Sequence, residues 1–246
     1  MKKLVENFVA LFTSKFLSLL RNHQNISLSR EEFRALNLSF SSYGEDLVVL
    51  SYFKWYGHED KDANNRVYVD VGAYHPANLS TTLLLHKAGW RGVNIDLDPE
   101  KIELFKKTRP QDHNVVAAVS DKRRIVRHLK YPLGTTNRIG EIEEINLTSI
   151  CQEDPLEVSE IETVTLTEIM DNSPFRDCKI DYLNVDCEGH DLEVLKGLDY
   201  NRYPPNIITV EAHTEEEREK LNILLNPLGY EMTAVLRYTL VFIQNS

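Results

Sequence analysis

The sequence predicts an α/β fold, a mostly parallel sheet with helices on both faces. Three observations predict it. From residue 66 onward short β-branched runs alternate with helical stretches. The runs end in turns rich in Gly, Asp or Asn, and the chain closes on two adjacent segments of alternating polarity. Strands separated by helices form right-handed βαβ units with parallel neighbours, and the closing pair reads as an antiparallel hairpin at one edge.

The elements follow in order. Residues 1–20 carry Lys2 and Lys3, but Glu6, Asn7 and Lys15 interrupt the apolar run and no small-residue cleavage site follows, which argues against a signal peptide. The stretch is too polar and too short to span a bilayer. Val5, Phe8, Val9, Phe12, Phe16, Leu19 and Leu20 recur at helical spacing, so an amphipathic helix is expected. It reads as packed on its own domain or a homodimer partner, or as a peripheral contact with a membrane surface. Residues 1–40 are therefore a helical extension, and 41–246 the main domain.

Ser29 and Glu32 have capping-box spacing and open a helix to about Leu36. A further helix spans Glu45–Tyr56, and the polar run 57–65 is a loop. Strands are expected at Arg66–Val71, Gly92–Asp96 and Asn114–Ser120, with helices at Leu79–Ala88, closed by Gly89, and Pro99–Thr108, opened by its proline. Arg124–Tyr131 alternates and reads as an extra strand. Residues 132–160 lack periodicity and read as an acceptor-site lid or insertion, with Thr135, Thr136, Asn137 and Arg138 as polar contacts. Strands Ile180–Asp186 and Asn206–Glu211 alternate with helices Asp191–Leu198 and Glu215–Leu225. Tyr230–Leu236 and Thr239–Ile243 form the closing pair.

Composition narrows the function. The 246 residues carry a net charge of −10, with 42% hydrophobic and 27% charged residues. That is a globular composition, and its acidity argues against a nucleic-acid partner, which requires a basic footprint. Cys151, Cys178 and Cys187 fit no zinc or CxxC spacing, and a reducing cytoplasm suits them.

In an open parallel sheet ligands bind beyond the carboxyl ends of the strands. After the first strand comes Val69-Asp70-Val71-Gly72-Ala73-Tyr74-His75-Pro76. A dinucleotide site would show GxGxxG; a single glycine fits a ligand without pyrophosphate. Asp70 suits a ligand ammonium, directly or through water, and S-adenosylmethionine has such a tail. Asp96 lies 24 residues beyond Gly72, near the spacing of a ribose-binding acid, while Asp98 before Pro99 reads as a helix cap. Ser120 and Asp121 end the third strand, where an adenine amino group would find an acceptor. The fourth strand runs into Asp186-Cys187-Glu188-Gly189-His190-Asp191, and the fifth into Glu211-Ala212-His213. Adjacent strands would bring Asp186, Glu211 and His213 together. Carboxylates with imidazole suit either a divalent metal such as Mg²⁺ or a general base.

Together these residues resemble the FkbM family of S-adenosylmethionine-dependent methyltransferases. The resemblance extends over most of 40–243. It includes Ser42-Tyr43-Gly44-Glu45-Asp46, Val69 to Ala73 with His75-Pro76, and Gly89-Trp90-Arg91-Gly92 leading to Ile95-Asp96 and Pro99. It also includes Ile180 to Gly189 with Leu192 to Leu195 and Gly197, and the strand Ile207–Glu211. Ser42 replaces a glutamine of the pattern, Cys187 a common valine, and His190 a small or aromatic residue. The resemblance implies a Rossmann-like methyltransferase sheet in the order 3-2-1-4-5-7-6. It implies O-methylation of a sugar hydroxyl in a glycan, glycolipid or glycosylated metabolite. It further implies that Tyr43, Glu45, Asp70, Gly72, Ala73, Asp96, Leu97, Ser120, Asp121 and Asp186 serve the cofactor.

A sugar hydroxyl must lose its proton to attack, so a base or a Lewis acid is needed. Asp186, Glu188, His190, His213 and His75 are the candidates. Two rival readings stay open, an inactive scaffold that kept the fold and a nicotinamide-dependent oxidoreductase; the missing GxGxxG speaks against the second.

Overall fold

The computed structural model describes residues 29–55, 65–131, 138–140 and 156–245. A compact unit spans Ser39–Ser246. It contains α2 (Glu45–Trp55), β1 (Val67–Val71), α3 (Leu83–Lys87), β2 (Arg91–Asp96), α4 (Pro99–Thr108), β3 (His113–Val116), β4 (Ala118–Val119), β5 (Ile125–Lys130), β6 (Arg138–Gly140) and β7 (Glu157–Val164). It continues with α5 (Leu166–Asp171), β8 (Tyr182–Val185), α6 (Asp191–Lys196), β9 (Ile207–Glu211), α7 (Glu215–Leu225), β10 (Tyr230–Leu236) and β11 (Thr239–Gln244). A short helix α1 (Arg30–Arg34) precedes this unit. Its capping box forms, with Glu32 N–H on Ser29 Oγ and Ser29 N–H on the Glu32 carboxylate.

Seven strands make the main sheet, in the order β3-β2-β1-β8-β9-β11-β10. Numbered along the chain within that sheet, this is 3-2-1-4-5-7-6. The five strands from β3 to β9 are parallel, and β11 and β10 are antiparallel. Parallel strands covered on both faces read as continuous apolar runs; β1 and β8 are buried along their whole length. One face packs Val69, Val71, Leu183, Val185, Ile208 and Val210 against Leu195, Leu221 and Leu225 of α6 and α7. The other carries Tyr68, Tyr182, Ile207 and Val241 against Val49, Phe53, Leu85 and Trp90.

Local chemistry starts the helices where expected. The Asp98 carboxylate accepts from Glu100 N–H at the start of α4, and Thr214 and Glu217 form a capping box at α7. A third capping box, Thr165 with Glu168, opens α5, a helix the sequence reading did not anticipate.

The expected third strand is corrected. It breaks at Ala117, and β4 leaves the main sheet to pair with β7. A second sheet results, in the order β4-β7-β5-β6. β5 is the anticipated extra strand. β7 and β6 fall partly within the segment read as unpatterned, of which residues 132–137 and 141–155 lie outside the described residues. So do the expected helix over 1–20, the loop 57–64, and the contacts proposed for Thr135, Thr136 and Asn137. Among the described residues no helix is long and apolar enough to cross a membrane.

Candidate active site

Register builds the site. Asp70 pairs with Asn94 and Asn184 on either side, and Val185 with Val210. The carboxyl ends of β1, β2 and β8 therefore open onto one cleft. Asp70, Gly72, Ala73, Asp96, Leu97 and Asp186 line it, together with Glu188 and His190. Its remaining wall includes Ser42, Tyr74, Leu79, Thr81, Lys101, Ile139, Asn184 and Cys187.

The turn after β1 needs glycine. Gly72 has φ +79, and a Cβ there would stand 1.8 Å from the backbone oxygen of Asp186. The β1 and β8 turns thus touch with no space for a methyl group. Asp186 N–H donates back to Val71 O at 3.0 Å. Tyr74, Leu79 and Glu188 line the cleft with φ of 53, 56 and 52, a backbone region non-glycine residues rarely occupy, and such strain gathers at functional sites.

Asp96 holds a turn as well as lining the cleft. Its carboxylate accepts from Tyr74 N–H at 3.0 Å and Asp98 N–H at 2.9 Å, and Lys101 Nζ lies 3.4 Å away. The same ammonium stands 4.9 Å over the Tyr74 ring. Asp70 is buried and accepts from Asn184 Nδ2 and Thr82 Oγ1, both at 2.9 Å. Burial pushes its carboxyl up, opposed by those two donors and by the Arg109 charge.

Asp186 is the most perturbed acid of the cleft. Although its side chain reaches solvent, loss of hydration along the cleft wall, then the carboxylates of Glu211, Asp191, Glu188 and Asp70, hold it well above the usual carboxylate range. Beside it, Asp191 caps the turn by accepting from Cys187 N–H and Gly189 N–H, and burial pushes its carboxyl up to about 7. His190 is buried, with Nε2 2.9 Å from Ser120 Oγ.

Other sequence-named residues sit elsewhere. Ser120 is buried and Asp121 pairs with Arg124 at 2.8 Å; neither lines the cleft. Tyr43 lies under the Arg237 guanidinium, and the Glu45 carboxylate accepts from Tyr43 N–H and Thr239 Oγ1, fastening α2 to β11. The His75 Nδ1 accepts from Ala77 N–H and Asn78 N–H, so this ring stabilises its own loop. Glu211 and His213 line a separate depression with Glu193, Glu217 and Lys220. There His213 Nε2 is 3.1 Å from Glu211 Oε2, and its ring packs 4.8 Å from that of Tyr238.

Asp186, Glu211 and His213, expected to share an ion, divide between two recesses, with the Glu211 carboxylate still near enough to act on Asp186. Asp186 lines the cleft, whereas Glu211 and His213 pair within the depression. Among the described residues no three His, Cys, Asp or Glu side chains form a ligand set. The sequence reading also missed Asn184 and Lys101. Asn184 could have been found as the polar residue amid an otherwise apolar buried strand; Lys101 had no local signal.

The sequence profile of the methyltransferase FkbM domain matches residues 70–239. The chain belongs to the FkbM methyltransferase family. That membership makes it an S-adenosylmethionine-dependent methyltransferase. No curated protein matches the chain in sequence. Among solved structures, this FkbM protein is similar to a precorrin-6y C5,15-methyltransferase from Geobacter metallireducens GS-15, with 14% identity, coverage of 82% of this chain and 87% of that one, and a TM-score of 0.42. It is similar to a methyltransferase from Geobacter sulfurreducens, at 15% identity, coverage of 95% and 97%, and a TM-score of 0.42. A TehB-like SAM-dependent methyltransferase from Corynebacterium glutamicum follows at 12% identity, coverage of 88% and 94%, and a TM-score of 0.41.

The cleft of this FkbM protein suits such a cofactor. Two carboxylates at adjacent strand ends, Asp70 and Asp96, suit an ammonium with its three donors and a ribose diol with its two. Ile95, Leu97, Ala118, Val119 and Ile139 make an apolar part of the cleft lining.

Proposed function

We propose that this FkbM methyltransferase methylates a hydroxyl oxygen of a sugar in a glycan, glycolipid or glycosylated metabolite, with Asp186 as the proton acceptor. The observation that carries the reading is Asp186 itself. It is a solvent-open carboxyl at the cleft wall, held above the usual carboxylate range by partial loss of hydration and by four acidic neighbours. A carboxylate of raised pKa is the stronger base, and one matched to neutral pH both accepts and releases a proton readily.

Bound S-adenosylmethionine supplies an electrophilic methyl group. Asp70 would hold the ammonium of its tail, Asp96 the ribose, and Ile95, Leu97 and Val119 the adenine. Glu188, next to Asp186 on the cleft wall, would orient the hydroxyl. The neighbouring depression supports a sugar. Glu193, Glu211 and His213 offer hydrogen-bond partners for hydroxyls, and the Tyr238 ring against His213 offers an apolar face. Asp186 and Glu211 follow paired residues of adjacent strands, which links cleft and depression.

Asp186→Asn tests the assignment. Methyl transfer to a panel of sugars, read as a mass gain of one CH2 as methyl replaces the hydroxyl proton, should fall about a hundredfold or more, while cofactor affinity by calorimetry stays within about threefold. Unchanged turnover would overturn the role. Turnover insensitive to EDTA is expected; turnover restored only by Mg²⁺ would make Asp186 an ion ligand instead.

A further inference from the structure

A row of polar side chains crosses the middle of the parallel sheet. Asn114, Asn94, Asp70, Asn184 and Thr209 occupy one register line on β3, β2, β1, β8 and β9. Side chains in register on parallel strands share a face, and hydrogen bonds join much of the row. Asn94 Nδ2 donates to Asn114 Oδ1 at 2.8 Å, Asn184 Nδ2 to Asp70 Oδ1 at 2.9 Å, and Thr209 Oγ1 to Asn184 Oδ1 at 2.8 Å. Such a row in a doubly covered sheet is unfavourable unless each group is satisfied. Asp70 is its one acid, and it is 2% exposed.

The cation facing that acid does not touch it. Arg109, at the C-terminal end of α4, is 1% exposed. Its guanidinium donates to Thr82 Oγ1 and Ser80 Oγ, both at 2.9 Å, and to Pro76 O. Among the described residues no carboxylate lies within ion-pair distance of it, and its Nε has no hydrogen-bond partner. A buried guanidinium without an acid in contact is expensive to keep. Thr82 supplies the link. It receives an N–H from Arg109, so its single hydroxyl proton is free only for Asp70, to which it donates at 2.9 Å. Thr82 precedes α3 without capping it. The relay runs one way, from guanidinium to hydroxyl to carboxylate, and it leaves both Asp70 oxygens accepting.

We propose that Arg109 is a positioning residue for the cofactor's amino-acid tail. Through the Thr82 hydroxyl it holds Asp70 as an anion at the cleft wall, and Asn184 fixes the other oxygen. The proposal rests on Asp70 receiving the ammonium. The charged groups around Asp70 are Arg109, which favours its ionised form, and Asp96 and Asp186, which oppose it. Burial opposes it as well, so removing the relay tips Asp70 toward the neutral acid.

The test separates the tail from the nucleoside. Calorimetry of the full chain is run with S-adenosylmethionine, S-adenosylhomocysteine and 5′-methylthioadenosine, the last lacking the amino-acid tail. Thr82→Val should weaken the first two by about tenfold, the loss expected for one hydrogen bond to a charged group, and leave the third within about twofold. The pH below which the tail-bearing ligands lose affinity should rise. Thr82→Ser should restore both readouts, and Arg109→Met should repeat the Thr82→Val pattern. Equal weakening of all three ligands would reduce the relay to a fold element and overturn the proposal, as would unchanged affinity for S-adenosylmethionine. Loss confined to the tail-bearing ligands in Asp70→Asn, with none in Thr82→Val, would keep the role of Asp70 and remove that of Arg109. Wild-type protein that binds methylthioadenosine but gains nothing from the tail would remove both.

Discussion

Gly72 shows how much one missing atom decides. Its φ of +79 alone disfavours a side chain, and the Asp186 oxygen fills the place of a Cβ. Gly189 has a comparable φ of +93 but nothing within 4 Å of a Cβ. The two glycines should therefore separate in a thermal-unfolding experiment. Gly189→Ala should destabilise by about 1 kcal/mol, the strain of a left-handed residue. Gly72→Ala should destabilise by more than about 3 kcal/mol, because backbone must move as well. Equal losses would show that the contact between the two turns yields easily. The site residues that could be read in advance share one property with Gly72: they end strands. Asp70, Asp96 and Asp186 follow from where a parallel sheet binds ligands. Thr82, Arg109 and Asn184 do not, because their chemistry depends on partners 12, 27 and 114 residues away. His75 and His213 show why an imidazole is harder to assign, since one beside a strand end can serve a loop or a neighbouring acid equally well.

Among the elements, the turn joining β8 to α6 gathers three acids, of which Asp191 is buried. Asp191, raised to about 7, carries two backbone N–H groups and starts α6. Its pKa in the folded state lies above its ordinary 3.8. The folded protein therefore binds this proton more tightly than the unfolded chain between those values. The stability it contributes is full below about pH 4 and is lost as pH rises toward 7. Unfolding followed against pH should show Asp191→Asn gaining relative to wild type as pH rises from 4 to 7, with a constant difference above. A difference independent of pH would mean Asp191 stays ionised. The strands of the main sheet were readable because burial on both faces leaves short apolar runs in β1, β8 and β9, interrupted only at Asp70, Asn184 and Thr209 before the terminal Glu211. β7 was not. Its burial is confined mostly to alternate and terminal positions, it carries three glutamates, and it pairs with a strand some thirty residues earlier. An exposed, charged strand has no pattern that distinguishes it from a loop.

The molecule as a whole combines a unit from Ser39 with a preceding stretch of chain. The unit begins firmly. Asp46 accepts from Ser39 Oγ, Phe40 N–H and Ser41 Oγ, which pins its first residues to α2. A chain starting at Ser39 should keep its cofactor affinity within about twofold by calorimetry, as the cleft lining begins at Ser42. Sedimentation with anionic phospholipid vesicles would test the membrane reading of residues 1–20. Lysines and an apolar face predict binding of the full chain and none of the shortened one; equal sedimentation of both would discard it.

The seam between the β1 and β8 turns also limits how this enzyme can be re-engineered. A side chain added at Gly72 displaces the backbone carbonyl of Asp186, so the two loops behave as a single casting. Changing which molecule is methylated by remodelling either loop would disturb the donor pocket at the same stroke. The Tyr238 hairpin tip and the α7 residues Glu217 and Lys220 belong to neither of these two turns. A library for new acceptors is best built there, where variation leaves the seam intact.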